Sequence, residues 1–141
     1  MLMARMLNSM KVQVDAVISS PFKRAMQTAQ FVATEIGFES RIQISPALAP
    51  EADYAAFHEM LKDYSGLEGV LVVGHNPNVF QYLGHLISGE GGAGIRMRKG
   101  SIARVDLRRH PPRLHWLIDP RMARSIYASV GKSSRAKTSL K

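Results

Sequence analysis

Two short segments of the sequence carry residues that could hold a phosphoryl group. ISSPFKRA (18–25) and VVGHNPNV (72–79) each join an apolar run to a capping residue, a proline and a helical pattern. Arg24 follows the first proline, and its guanidinium offers paired hydrogen bonds that match phosphate oxygens. His75 precedes the second proline, and an imidazole can donate a hydrogen bond or move a proton near neutral pH. Together these side chains predict chemistry on an oxyanion.

Two predicted strands would bring these side chains together. The apolar runs at 14–20 and 70–73 indicate buried strands, the second covered on both faces. In open α/β sheets, ligands bind beyond the carboxyl ends of the strands, and helix N-termini there attract anions. If the two strands are neighbours, Arg24 and His75 converge on one oxyanion.

The helices after these strands are expected to begin at capping residues. Ser20 is the expected N-cap of the first helix, with Pro21 as its first residue and Gly37 at its end. Asn76 is the expected N-cap of the second helix, and Pro77 is its expected first residue.

The rest of the chain continues the alternation of strands and helices. We predict a strand at 41–45, a loop at 45–53, a helix capped by Asp53, a flexible glycine-rich loop at 89–94, and a β-hairpin of strands 101–109 and 113–119. This order predicts an α/β fold, a three-layer α/β/α sandwich with a mainly parallel central sheet and a C-terminal β-hairpin.

Composition narrows the class of protein. The 141 residues are 45% hydrophobic and include no cysteine, which excludes disulfides, thiolate catalysis and cysteine-ligated metal sites. The histidines show no metal-binding spacing, so we expect neither a metal nor a cofactor. No apolar run approaches the roughly 20 residues that cross a bilayer, and no signal peptide is visible. A cytoplasmic protein without a membrane partner is therefore expected, and its oligomeric state is left open.

Positive charge is concentrated at the C-terminal end. Residues 96–141 hold 13 basic and 2 acidic side chains, whereas residues 1–95 hold 6 basic and 9 acidic ones. We interpret 1–128 as the folded domain and 129–141 as a basic disordered tail. Binding of nucleic acid by this basic region is the less favoured interpretation, because its aromatic residues are only Trp116 and Tyr127 and no nucleic-acid motif is present.

Four segments together resemble the histidine phosphatase superfamily, which has a phosphoglycerate mutase-like fold, and within it the SixA-type phosphohistidine phosphatase branch. These segments are SSPFKRAMQTA (19–29), VLVVGHNPNV (70–79), GSIARVDL (100–107) and LHWLIDP (114–120). The resemblance covers about residues 4–127. It implies hydrolysis of a phosphoryl group, from a phosphohistidine protein or a small phosphomonoester, through a phosphohistidine intermediate.

The resemblance also implies roles for particular residues. Arg24 would bind the phosphoryl group, and His75 would contact the same group and stabilise it during transfer. Ser101 begins the strand that borders the pocket in relatives, and Asn76 adjoins His75, so both are weaker candidates for substrate binding. Glu51 lies where mutase-like relatives carry a general acid, but we interpret it as a solvated loop residue.

The sequence departs from the family pattern at its start. The family nucleophile is a histidine in an Arg-His-Gly-like motif on the first strand, and residues 1–13 contain no histidine. The start resembles the late part of the first family helix, so an incomplete N-terminus is expected. Two explanations stay open: Met1 is a misassigned start, which we favour, or the chain is a truncated, inactive descendant. As given, the chain is expected to hydrolyse phosphate esters negligibly, and a non-catalytic phosphate- or partner-binding protein of the same fold is the alternative function.

Overall fold

Three parallel strands form the central sheet of the computed structural model, which describes residues 2–89 and 94–139, with side chains to residue 130. β1 is Ala16–Ser19, β2 is Gln43–Ile44 and β3 is Val70–Val73. Their order is β2-β1-β3, and Ser19 pairs in register with Ile44 on one side and Val73 on the other. The carboxyl ends of β1 and β3 therefore lie side by side.

Helices cover both faces of this sheet. The first face carries α1 (Leu2–Ser9) and α2 (Lys23–Glu35), and the second carries α3 (Tyr54–Lys62), α4 (Asn78–Ser88) and a 3₁₀ helix at Pro46–Leu48. Successive side chains of a strand point to opposite faces. Accordingly Leu71 packs with α1 and α2, while Val70 and Val72 pack with α3 and α4. The predicted covering of this strand on both faces is confirmed, although all four of its residues are only half-buried because β3 pairs on one edge alone among the described strands.

The last two strands form the predicted hairpin. β4 (Ile102–Asp106) and β5 (Arg113–Ile118) pair antiparallel in a second, separate sheet. Side chains rather than backbone hydrogen bonds join the two sheets, because Ile102 and Trp116 pack in the same cluster as Leu71. The α/β class is confirmed, and the described strands divide into a parallel and an antiparallel sheet.

Both expected helix starts are wrong by one or two residues. α2 begins at Lys23, and Ser20 does not cap it but accepts a hydrogen bond from the Phe22 N–H at 3.2 Å. α4 begins at Asn78, and the Asn76 side chain does not cap that helix. In both cases the side chain has a partner elsewhere in the fold. The expected end of the first helix is confirmed, since Gly37 has a φ of 74°, where glycine is favoured.

The C-terminal region begins as a helix. α5 is Pro120–Ser139, so it continues past residue 129, where the sequence predicted a disordered tail. Serine, lysine and arginine make up most of residues 129–139, and this polar composition is the basis of the predicted tail. The division of the chain between residues 128 and 129 stays a prediction. Residues 90–93 of the predicted glycine-rich loop lie outside the described residues, and no described helix is both long and apolar enough to cross a membrane.

Candidate functional site

The candidate site lies where β1 and β3 end. The parallel pairing continues one residue past β1, since the Ser20 N–H donates to the Val73 carbonyl at 3.0 Å. His75 follows β3 by two residues and therefore stands beside Ser20 at this edge of the sheet. The prediction that these two strands are neighbours is confirmed.

A hydrogen bond across the two strand ends holds the His75 ring. His75 Nε2 lies 2.7 Å from Ser20 Oγ, and Ser20 is fully buried. The ring of Phe22 meets the imidazole edge-on, with centroids 5.3 Å apart. The imidazole is thus oriented by a buried hydroxyl and an aromatic neighbour, while remaining half-exposed at the site. Preorganised donors of this kind are what binding of an oxyanion requires.

Arg24 stands in the first turn of α2, next to Lys23. Both are exposed, and neither forms an ion pair or a side-chain hydrogen bond with another residue that the structure describes. The first turn of α2 contains no acidic residue. Free backbone N–H groups and the helix dipole add positive potential at this end. The site therefore presents an arginine whose charge has no partner among the described residues.

Asn76 and Ser101, the two weaker candidates for substrate binding, lie on different segments of the chain. The Asn76 side chain donates to the Met97 carbonyl at 3.1 Å, which ties the segment before β4 to the residue after His75. The Ser101 N–H donates to the Arg98 carbonyl at 3.0 Å. Asn76 thus adjoins the imidazole, whereas Ser101 is placed at the start of β4 only.

Sequence reasoning missed the part played by Ser20 and Phe22. Ser20 was interpreted as a helix cap, but its hydroxyl and the Phe22 ring both contact the His75 imidazole. The two strand–proline–helix segments could have indicated this contact. When two parallel strands are neighbours, the residues that follow their ends lie side by side.

Comparisons with known proteins point to one family. The histidine phosphatase superfamily (branch 1) matches residues 2–64. The phosphohistidine phosphatase SixA of Escherichia coli (strain K12) is 34% identical over 91 residues, which are 63% of this chain and 56% of that protein. A solved structure of the protein histidine phosphatase SixA complexed with tungstate superposes with a TM-score of 0.76 at 30% identity, covering 84% of this chain and 77% of that chain. The chain belongs to the histidine phosphatase superfamily.

This member of the histidine phosphatase superfamily spans only part of its curated relatives. It covers 56% of the Escherichia coli SixA protein. It also covers 62% of an uncharacterized protein of Picosynechococcus, to which it is 27% identical over 104 residues, or 72% of this chain. The family match at residues 2–64 includes Arg24, whereas His75 lies beyond it. Membership of the family therefore does not by itself assign the activity of a full-length relative to this chain.

The described residues contain no group of three or more histidine, aspartate or glutamate side chains placed to hold a metal ion. Glu51, which the sequence analysis interpreted as a solvated loop residue, is exposed in the turn before α3. The strand ends thus carry the His75 imidazole, and the first turn of α2, which bears Arg24, begins one residue after Phe22.

Proposed function

We propose that Arg24 and His75 bind a phosphoryl group, and that this is the phosphoryl-binding part of a SixA-like phosphohistidine phosphatase. The observation that carries the proposal is the 2.7 Å contact of His75 Nε2 with Ser20 Oγ. It holds the imidazole at the carboxyl ends of β1 and β3, beside the first turn of α2 that bears Arg24.

Each group has a distinct task in this proposal. The Arg24 guanidinium donates paired hydrogen bonds to two phosphoryl oxygens. His75 donates to a further oxygen and stabilises the charge that phosphoryl transfer spreads over the equatorial oxygens. Asn76 and Ser101 flank the group. The substrate class is a phosphohistidine in a protein or a small phosphomonoester, and phosphohistidine needs little help from a general acid because its leaving group is good.

Catalysis through a phosphohistidine intermediate needs a second histidine. A nucleophilic imidazole nitrogen forms a bond to phosphorus as the bond to the leaving group breaks, and water then cleaves the phosphorus–nitrogen bond. The four other histidines lie away from the described strand ends. The His85 ring stacks on Tyr54, and the His58 ring lies tilted against the same tyrosine. His110 lies in the hairpin turn, and His115 is 3.9 Å from Asp106. We infer that Arg24 and His75 bind a phosphoryl group but do not by themselves catalyse its hydrolysis.

Tungstate, the oxyanion in the SixA complex, is a suitable probe of this binding. Calorimetric titration of the chain with tungstate is expected to show binding that Arg24→Ala weakens by about tenfold or more, because charge-assisted hydrogen bonds are lost. Arg41→Ala is the matched control. Arg41 is also exposed but precedes β2, at the opposite edge of the sheet. Equal affinity in the two variants would disprove the proposed role of Arg24.

Hydrolysis of p-nitrophenyl phosphate separates binding from catalysis. The chain is expected to release p-nitrophenol no faster than its His75→Ala variant does. Measurable turnover that His75→Ala abolishes would show that these 141 residues are a working phosphatase, and the non-catalytic alternative would be rejected.

A further inference from the structure

A cavity of about 800 Å³ lies between the N-terminus of α1, the segment before β4 and the start of α5. Small-molecule sites commonly measure roughly 300 to 1,000 Å³. No part of the proposed oxyanion site lines this cavity, although Asn76 holds the cavity segment through the Met97 carbonyl. The cavity is therefore lined by a different set of residues from the proposed oxyanion site.

Five basic side chains line this cavity, and its lining includes no acidic one. They are Arg96, Arg98, Lys99, Arg121 and Arg124. Arg98 forms an ion pair with Asp119 at 3.3 Å, and the other four have no ion-pair partner among the residues that the structure describes. Concave surfaces lined by one sign of charge raise the local concentration of oppositely charged ligands. The lining thus predicts a ligand with several negative charges.

The start of α5 strengthens this prediction. Arg121 and Arg124 are three residues apart, so they project from the same side of the helix, and no acidic residue stands in its first turn. The Asp119 carboxylate accepts from the Arg121 N–H at 2.7 Å and caps this end. Positive side chains at the positive end of a helix repel the helix dipole and each other. A bound anion would relieve this repulsion.

Part of the lining is apolar. Met3 and Met97 are 4% and 7% exposed, and Leu2 and Pro120 complete the apolar lining. Methionine side chains adapt their shape to a ligand surface. A ligand that used the whole cavity would combine an apolar body with several anionic groups.

We propose that this cavity binds an organic polyphosphate, a molecule with an apolar body and two or more phosphate groups. The concave shape favours a small ligand over the long, convex backbone of a nucleic acid duplex. The proposal does not depend on the function proposed for Arg24 and His75, because a different set of residues carries it.

Adenosine triphosphate in metal-free buffer at low ionic strength is the probe. The titration is performed by calorimetry in the Arg24→Ala background, which weakens the proposed oxyanion site. We expect Arg121→Ala/Arg124→Ala to weaken binding by about tenfold or more, because two charge-assisted contacts are lost. Arg96→Ala/Lys99→Ala changes another part of the lining and is expected to act in the same direction.

Arg108→Ala/Arg109→Ala is the matched control. It removes the same charge from the hairpin, where both arginines pair with Asp106, and is expected to leave binding unchanged. Equal affinity in the control and both cavity variants, or no binding by the Arg24→Ala protein, would overturn the proposal. Tripolyphosphate binding as tight as adenosine triphosphate would overturn the role of the apolar lining. Binding of a short DNA duplex without binding of adenosine triphosphate would replace the proposal with a nucleic acid site.

Discussion

Replacing Ser20 by alanine removes one oxygen atom that serves two partners. Ser20 Oγ accepts from the Phe22 N–H at 3.2 Å and lies 2.7 Å from His75 Nε2. Ser20 is fully buried, so water does not readily replace the lost oxygen. Each hydrogen bond contributes about 1 kcal/mol net, and we expect Ser20→Ala to lower the free energy of unfolding by about 2 kcal/mol.

Ser45 offers a closely matched control. Its Oγ accepts from the Ala47 N–H at 3.2 Å, the same distance and sequence spacing as in the contact of Ser20 with Phe22. Ser45 contacts no histidine among the described residues. Ser45→Ala is therefore expected to cost about 1 kcal/mol. The excess of about 1 kcal/mol in Ser20→Ala reflects the contact with His75 together with the full burial of Ser20, since Ser45 is half-buried.

Urea unfolding, nitrogen NMR of the imidazole and tungstate titration together test this reasoning. Ser20→Ala is expected to change the His75 Nε2 signal and to weaken tungstate binding several-fold, because the freed ring must be ordered again when the anion binds. Ser45→Ala is expected to change neither. The reasoning is refuted if the two variants give the same His75 signal, the same tungstate affinity and the same loss of stability.

Three further outcomes follow from contacts elsewhere in the fold. In Gly69→Ala, the new Cβ would overlap the Gln13 carbonyl oxygen, so urea unfolding should show a loss of about 3 kcal/mol; Gly66→Ala, which has no atom within 4 Å of its new Cβ, should show much less, and equal losses would contradict this. Hydrogen bonds from the Gln13 side chain and the Gly69 N–H hold the pKa of Asp15 below its usual value. The stability that Asp15 contributes is therefore present above its unfolded pKa and is lost as the pH falls through its folded pKa. The difference in urea midpoint between the parent protein and Asp15→Asn should shrink on acidification, and a constant difference would contradict the proposed contribution of Asp15 to stability. The buried Tyr82 hydroxyl donates to a backbone carbonyl at 3.0 Å, so Tyr82→Phe should cost about 1 kcal/mol in the same assay, and an unchanged stability would show that the bond contributes nothing.

Local patterns predicted those elements whose capping partners lie nearby in the chain. Asp53 was expected to cap a helix, and its side chain accepts from the Ala56 N–H at 3.0 Å at the start of α3. The same reasoning was wrong for Asn76, whose side chain donates to Met97, 21 residues away. A side chain that can satisfy a nearby N–H can satisfy a distant group equally well, and only the folded chain selects between them.

In the candidate site, too, the sequence predicted local positions but not long-range contacts. The sequence predicted that Arg24 and His75 stand at two strand ends, and the parallel pairing of β1 and β3 places those ends side by side. It did not predict that Ser20, 55 residues from His75, would hold the imidazole. That contact depends on which strands are neighbours, and no periodicity within a single strand encodes its neighbour.

The sequence by itself determined the strands, most of the helices, the hairpin and the family resemblance, because these depend on the order of side chains along a short stretch of backbone. Only the tertiary structure decided the partners. It placed Ser20 against His75, divided the strands into two sheets, and gathered five basic side chains around one cavity at the start of α5. These are contacts between segments that are distant in sequence, and packing of the whole domain selects them.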